Sequence, residues 1–87
     1  MSLDLEFVIY SKAGCHLCDV MLEDLQDLID DSGAGLTVVD IAGSEELTGR
    51  YGDKIPVLTA DGVELCRYRL DARRVRDWMI ASSEENR

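Results

Sequence analysis

The segment Tyr10-Ser11-Lys12-Ala13-Gly14-Cys15-His16-Leu17-Cys18 places a Cys-x-x-Cys at the point where a strand gives way to a helix. Upstream, Leu5 to Tyr10 is short, apolar and rich in β-formers, which predicts a buried strand. Ser11 to Gly14 reads as a loop. From Cys15 onward, Leu17, Met21, Leu25, Leu28 and Ile29 recur at three- and four-residue steps with acids between them, which predicts an amphipathic helix stopping near Ser32-Gly33. A cysteine at the start of a helix meets unpaired backbone N–H groups and the positive end of the dipole, and both favour its thiolate. The second cysteine lies over the same turn and can reach the first sulfur to close a disulfide. The expectation is that Cys15 attacks a substrate disulfide and that Cys18 resolves the mixed disulfide.

Downstream, Leu36 to Ile41 reads as a second strand, so the chain opens with a right-handed βαβ unit of parallel strands. Ser44 can cap a short helix whose first turn holds Glu45 and Glu46, with an end near Tyr51-Gly52. Val57 to Ala60 and Val63 to Arg69 flank Asp61-Gly62, a two-residue hairpin signal. Asp71 can cap a last helix, whose stripe of Val75, Trp78 and Met79 is assigned to the core. The order is β-α-β-α-β-β-α, an α/β domain over residues 1–82 with a polar tail at 83–87. The sequence holds no internal repeat and no linker.

A chain of 87 residues is one domain with a thin core margin. Its net charge of −9 argues against nucleic acid and anionic membrane as general partners, because an acidic field repels phosphates. The acids gather at Glu23-Asp24, Asp27, Asp30-Asp31 and Glu84-Glu85, and read as solvated surface. Arg67, Arg69, Arg73, Arg74 and Arg76 form a local positive segment, read in the same way. No apolar run approaches bilayer length, and Met1 to Phe7 carries Asp4 and Glu6 without a basic region, so the expected location is cytoplasmic. Three cysteines, two of them in a Cys-x-x-Cys, point to redox chemistry or metal before structural bridges. Cys66, in a β-rich run, reads as a small buried hydrophobe.

The single proline, Pro56, follows Ile55 and opens a strand, a position where a missing donor is tolerated. Most X–Pro bonds are trans, and local sequence gives no reason for cis here. Taken together, Tyr-Ser-Lys-x-x-Cys-x-x-Cys at Tyr10 to Cys18, Ile55-Pro56-Val57, the Asp61-Gly62 hairpin and a final helix resemble the glutaredoxins over nearly the whole length. The likeness is greatest to small bacterial glutaredoxin-like proteins with a Gly-Cys-His-Leu-Cys site. The resemblance implies a thioredoxin fold with a four-stranded mixed sheet and helices on both faces, a cis Pro56, and redox cycling through Cys15 and Cys18. It implies that Lys12 and the backbone of Ile55 help bind glutathione or a substrate thiol, with His16, Leu17, Pro56 and Asp71 completing the substrate-binding set. Glutathione is then a co-substrate, no cofactor is tightly bound, and the partners are glutathione and protein disulfides. Two departures stand out. His16-Leu17 replaces the usual Pro-Tyr, which removes the tyrosine that lines the glutathione groove. Cys66-Arg67-Tyr68-Arg69-Leu70-Asp71 replaces the usual Gly-Gly and acid, which offsets Asp71 from the family's acid.

The leading expectation is an enzyme, a monomeric thiol–disulfide oxidoreductase of glutaredoxin type. A second class is a metal module, either a [2Fe–2S] cluster shared between two protomers or, less favoured on geometry, zinc on Cys15, His16, Cys18 and Cys66. A third is a redox-inactive interaction domain that keeps the fold as a scaffold.

Overall fold

The computed structural model describes residues 5–85, so the readings that fall on residues 1–4 and 86–87 lie outside the described residues. Seven elements follow the order read from the sequence: β1 (Glu6–Ser11), α1 (His16–Ile29), β2 (Gly35–Asp40), α2 (Glu45–Tyr51), β3 (Val57–Ala60), β4 (Val63–Arg67) and α3 (Ala72–Glu85). They build one four-stranded sheet in the order β2-β1-β3-β4. β1 runs parallel to β2, from Glu6 opposite Gly35 to Ser11 opposite Asp40, as a βαβ crossover requires. β3 returns antiparallel to β1, with Phe7 opposite Ala60 and Tyr10 opposite Val57. The fold is a thioredoxin fold.

The alternation of β1 sorts the helices onto two faces. Phe7 and Ile9 point into a core shared with Met21, Leu25 and Ile29 of α1, Leu58 and Ala60 of β3, Leu65 of β4 and Val75 of α3. Trp78 and Met79 pack against that cluster, as their spacing predicts. On the opposite face, Tyr10 stacks on Tyr51 of α2, with ring centroids 4.3 Å apart. Central position and two covered faces make β1 a rigid base for the loop that leaves its C-terminal end. Among the described residues no helix is long and apolar enough to cross a membrane.

Three boundaries differ from the sequence reading, each for a local reason. α1 stops at Ile29 instead of Ser32-Gly33, because Ser32 turns its Oγ onto the Ile29 carbonyl at 2.7 Å and competes with the helix ladder. β4 stops at Arg67 and not Arg69, because Tyr68 takes a left-handed backbone, φ 69°. α3 continues to Glu85, into the stretch that composition assigned to a tail. The Asp61-Gly62 turn has φ 51° and 79°, the two positive values that a type I′ hairpin needs. Beyond it the β3–β4 register slips. Leu58 faces Cys66 and Thr59 faces Glu64, which leaves Leu65 as a bulge residue. The bulge lets both Leu65 and Cys66 turn toward the core.

Candidate active site

The loop from β1 to α1 is closed by a hydrogen bond from the Cys15 N–H to the Lys12 carbonyl, 3.3 Å. Gly14 makes the turn at φ 79°, a region that costs a side-chain-bearing residue about 1–2 kcal/mol. Cys15 is the N-cap of α1, in extended backbone, and its sulfur accepts the N–H of Cys18 at 3.2 Å. That N–H is one of the donors at a helix start that has no partner within the helix. The same bond is available to a Cys15 thiolate, so the start of α1 favours negative charge on that sulfur. Cys15 and Cys18 are joined in a disulfide, with their Cα atoms 5.2 Å apart. Cys15 is half-buried and Cys18 is buried at 4% exposure. An incoming reactant therefore meets Cys15 first.

Around this pair the sequence-predicted residues fall as follows. His16 and Leu17 begin α1 and are both exposed. The Ile55–Pro56 peptide is cis, as the family resemblance implied, with Ile55 half-buried and Pro56 buried. Lys12 is exposed and lines a hollow with Ile41, Ala42, Thr48, Gly49, Gly52 and Asp53, beside the C-terminal half of α2. Asp71 is exposed, and its Oδ1 accepts the Arg74 N–H at 3.1 Å, so it caps α3 as its position predicts. Arg67 forms a two-pronged bond to Glu64, Nε to Oε2 at 2.8 Å and Nη2 to Oε1 at 3.0 Å, which fits its reading as surface charge.

Cys66 is half-buried, 51 residues after Cys15 by sequence number, and packs against the core. Burial is the main cause that pushes its thiol above the usual thiol range, partly offset by the Asp71 backbone N–H. A thiol held neutral is a poor nucleophile. In the reduced protein at pH 8, iodoacetamide is expected to label Cys15 well before Cys66, and Cys66 labelling should accelerate only as pH passes the ordinary thiol value. Peptide mass mapping over time checks this. Equal labelling of the two sites at pH 8 contradicts it. Among the described residues no three His, Cys, Asp or Glu side chains gather to hold a metal ion, so the zinc set of Cys15, His16, Cys18 and Cys66 does not assemble within one chain.

One residue at the site carried no signal in the sequence. Tyr68 sits just past β4 in a γ-turn, with the Arg69 N–H bonded to the Arg67 carbonyl at 2.8 Å. Its own N–H donates to the Pro56 carbonyl at 2.8 Å, and its hydroxyl donates to the Asp53 carbonyl at 3.1 Å. A tyrosine in left-handed backbone costs roughly 1–2 kcal/mol that a glycine avoids. The two bonds hold it there, against the loop that carries cis Pro56.

Residues 6–80 match the family model described as Glutaredoxin-like domain (DUF836). The chain belongs to this family. The glutaredoxin-like chain is similar to protein Ne2328 from Nitrosomonas europaea, solved by solution NMR. The two share 39% sequence identity at a TM-score of 0.77, over 85% of this chain and 89% of that one. It is also similar to protein XcR50 from X. campestris, solved by X-ray crystallography, with 30% identity, a TM-score of 0.68, and coverage of 86% and 96%. A mutant thioredoxin from Halobacterium salinarum NRC-1 matches over 92% of this chain and 75% of its own, with a TM-score of 0.61 and 20% identity, a likeness of fold. Fold, family and a Cys-x-x-Cys pair at disulfide distance are together consistent with redox function.

Proposed function

We propose that this glutaredoxin-like domain is a thiol–disulfide oxidoreductase that reduces protein disulfides or glutathione mixed disulfides through Cys15 and Cys18. The observation that carries the reading is the Cys15 sulfur at the N-cap of α1, half-buried, accepting the Cys18 N–H and bonded to a buried Cys18. In the reduced form the Cys15 thiolate attacks one sulfur of a substrate disulfide, and the other substrate half leaves as a thiolate. Cys18 then attacks the Cys15 sulfur and releases the second half. Two electrons pass to the substrate, and the protein is left with the intramolecular disulfide. Glutathione, or a dithiol reductant, returns the pair to the reduced state. Lys12 and the backbone of Ile55 are the groups assigned to holding the substrate thiol, as the resemblance to glutaredoxins suggests. A monomer acting in the reducing cytoplasm fits this cycle, since that compartment supplies thiols.

Equilibration in glutathione buffers of graded potential, followed by alkylation and mass counting, tests the reading. One disulfide between Cys15 and Cys18 is expected to titrate as a two-electron couple within about −270 to −180 mV, the span from thioredoxin to protein disulfide isomerase. A pair that never closes, or closes only through Cys66, overturns the mechanism.

A further inference from the structure

Six large apolar side chains among the described residues are exposed, and three of them, Leu17, Val20 and Tyr68, converge on one cleft of about 340 Å³. Buried Met21 and half-buried Leu70 complete its apolar wall, and Asp24 and Arg69 stand at its edge. The cleft adjoins the redox pair through the first turn of α1. Leu17 lies between the two cysteines, and Tyr68 is bonded through its N–H to the carbonyl of Pro56. One negative and one positive residue cancel at the edge, so the cleft offers an uncharged side chain a place and gives a carboxylate no net attraction.

We propose that Tyr68 is a specificity-determining residue, and that with Leu17 and Val20 it receives an apolar side chain flanking the cysteine of a polypeptide disulfide. The inference rests on the proposed exchange chemistry and names its preferred substrate class. Cys15 is the N-cap of α1, so a polypeptide sulfur bonded to it brings the neighbouring residues within reach of the first turn of that helix. An apolar neighbour then leaves water for the cleft, which tightens binding in proportion to the area covered. Glutathione presents two carboxylates and an ammonium around its thiol and has no apolar side chain to place there. Tyr68 is suited to the task because its ring is fixed from both ends: the backbone is tied to Pro56 and the hydroxyl to the Asp53 carbonyl. A wall held in place loses little freedom when a substrate covers it.

The test uses three symmetric disulfides: a short peptide with leucine beside its cysteine, the same peptide with serine in that position, and oxidised glutathione. The protein's own dithiol, pre-reduced with dithiothreitol and freed of it, is the reductant in single-turnover reactions quenched with an alkylating agent. Reduction of the leucine peptide is expected to exceed that of the other two by about tenfold or more in second-order rate constant. Tyr68→Gly suits the left-handed backbone and removes the ring, so the three rates should draw together. Tyr68→Phe keeps the ring and should retain the preference. Three equal rates in the unsubstituted protein overturn the inference. So does Tyr68→Gly with the preference intact, or with all three rates lowered by one common factor, which marks a purely structural role. Reduction of none of the three disulfides by the unsubstituted protein overturns the exchange chemistry itself.

Discussion

On the proposed exchange chemistry, Cys18→Ser is expected to turn the protein into a trap for its disulfide partner. Cys15 keeps its place at the N-cap of α1, so it still attacks a disulfide. The thiol that would displace the bound half is gone, and the mixed disulfide persists until an external thiol removes it. Cys15→Ser removes the nucleophile instead. Its reduction rate should fall to that of the uncatalysed reaction, because Cys18 is buried at 4% exposure and cannot substitute as the entry point. Mass spectrometry after mixing with a peptide disulfide distinguishes the two variants. Cys18→Ser gains the mass of one peptide on Cys15, whereas Cys15→Ser gains none. In Cys15→Ser the hydroxyl can take over the bond from the Cys18 N–H, and serine is itself a favoured N-cap, so loss of reaction in this variant is not loss of fold. A mixed disulfide forming on Cys18 in the Cys15→Ser protein, at a rate near that of Cys15, contradicts the assignment of roles.

The placement of Cys15 at a helix start with Cys18 on the same turn is legible in sequence because it depends on local structure alone. A strand, a short loop and an amphipathic repeat put Cys15 at a helix start whatever the rest of the chain does. The Asp71 cap and the Asp61-Gly62 turn are legible for the same reason. The cis state of Ile55–Pro56 is different. Its isomer is fixed by tertiary surroundings, and only resemblance to a family supplied the expectation. Tyr68 was not legible by either route. Glycine or asparagine advertises a positive φ, but tyrosine prefers extended backbone, and a strand that runs on to Arg69 follows from that preference. The constraint that overrides it comes from Asp53 and Pro56, which reach Tyr68 only after β3 and β4 have paired. The cleft is hidden in the sequence for a related reason. Leu17 and Val20 belong to α1 and Tyr68 follows β4, so only the packed domain brings them together. The Leu65 bulge completes the pattern, since a register slip leaves no mark on a run of five strand residues.

Leu25→Ala is expected to give the largest loss of stability among single changes remote from the cysteines. Leu25 is fully buried at the middle of α1, against Phe7 and Ile9 of β1 and the Leu58 of β3 that belong to the same core cluster. Truncation removes apolar area and leaves a cavity that neighbouring strands cannot close, a combination that costs about 2–5 kcal/mol. A domain of this size is stable by a margin toward the lower end of about 5–15 kcal/mol, so the change consumes much of it. The urea midpoint should fall by more than about 1 M, given a slope of roughly 1–3 kcal/mol/M. Leu25→Met keeps most of the volume and should cost less than about 1.5 kcal/mol. The contrast identifies packing as the cause, because both substitutions preserve helix propensity. Two turns from the redox pair, Leu25 anchors the helix whose start holds Cys15, yet touches neither sulfur. Leu25→Ala in the absence of denaturant should therefore retain the Cys15–Cys18 potential of the parent protein while unfolding at much lower urea. An unchanged midpoint contradicts the packing account, and a shifted potential shows that the core beneath α1 also sets the geometry of the pair.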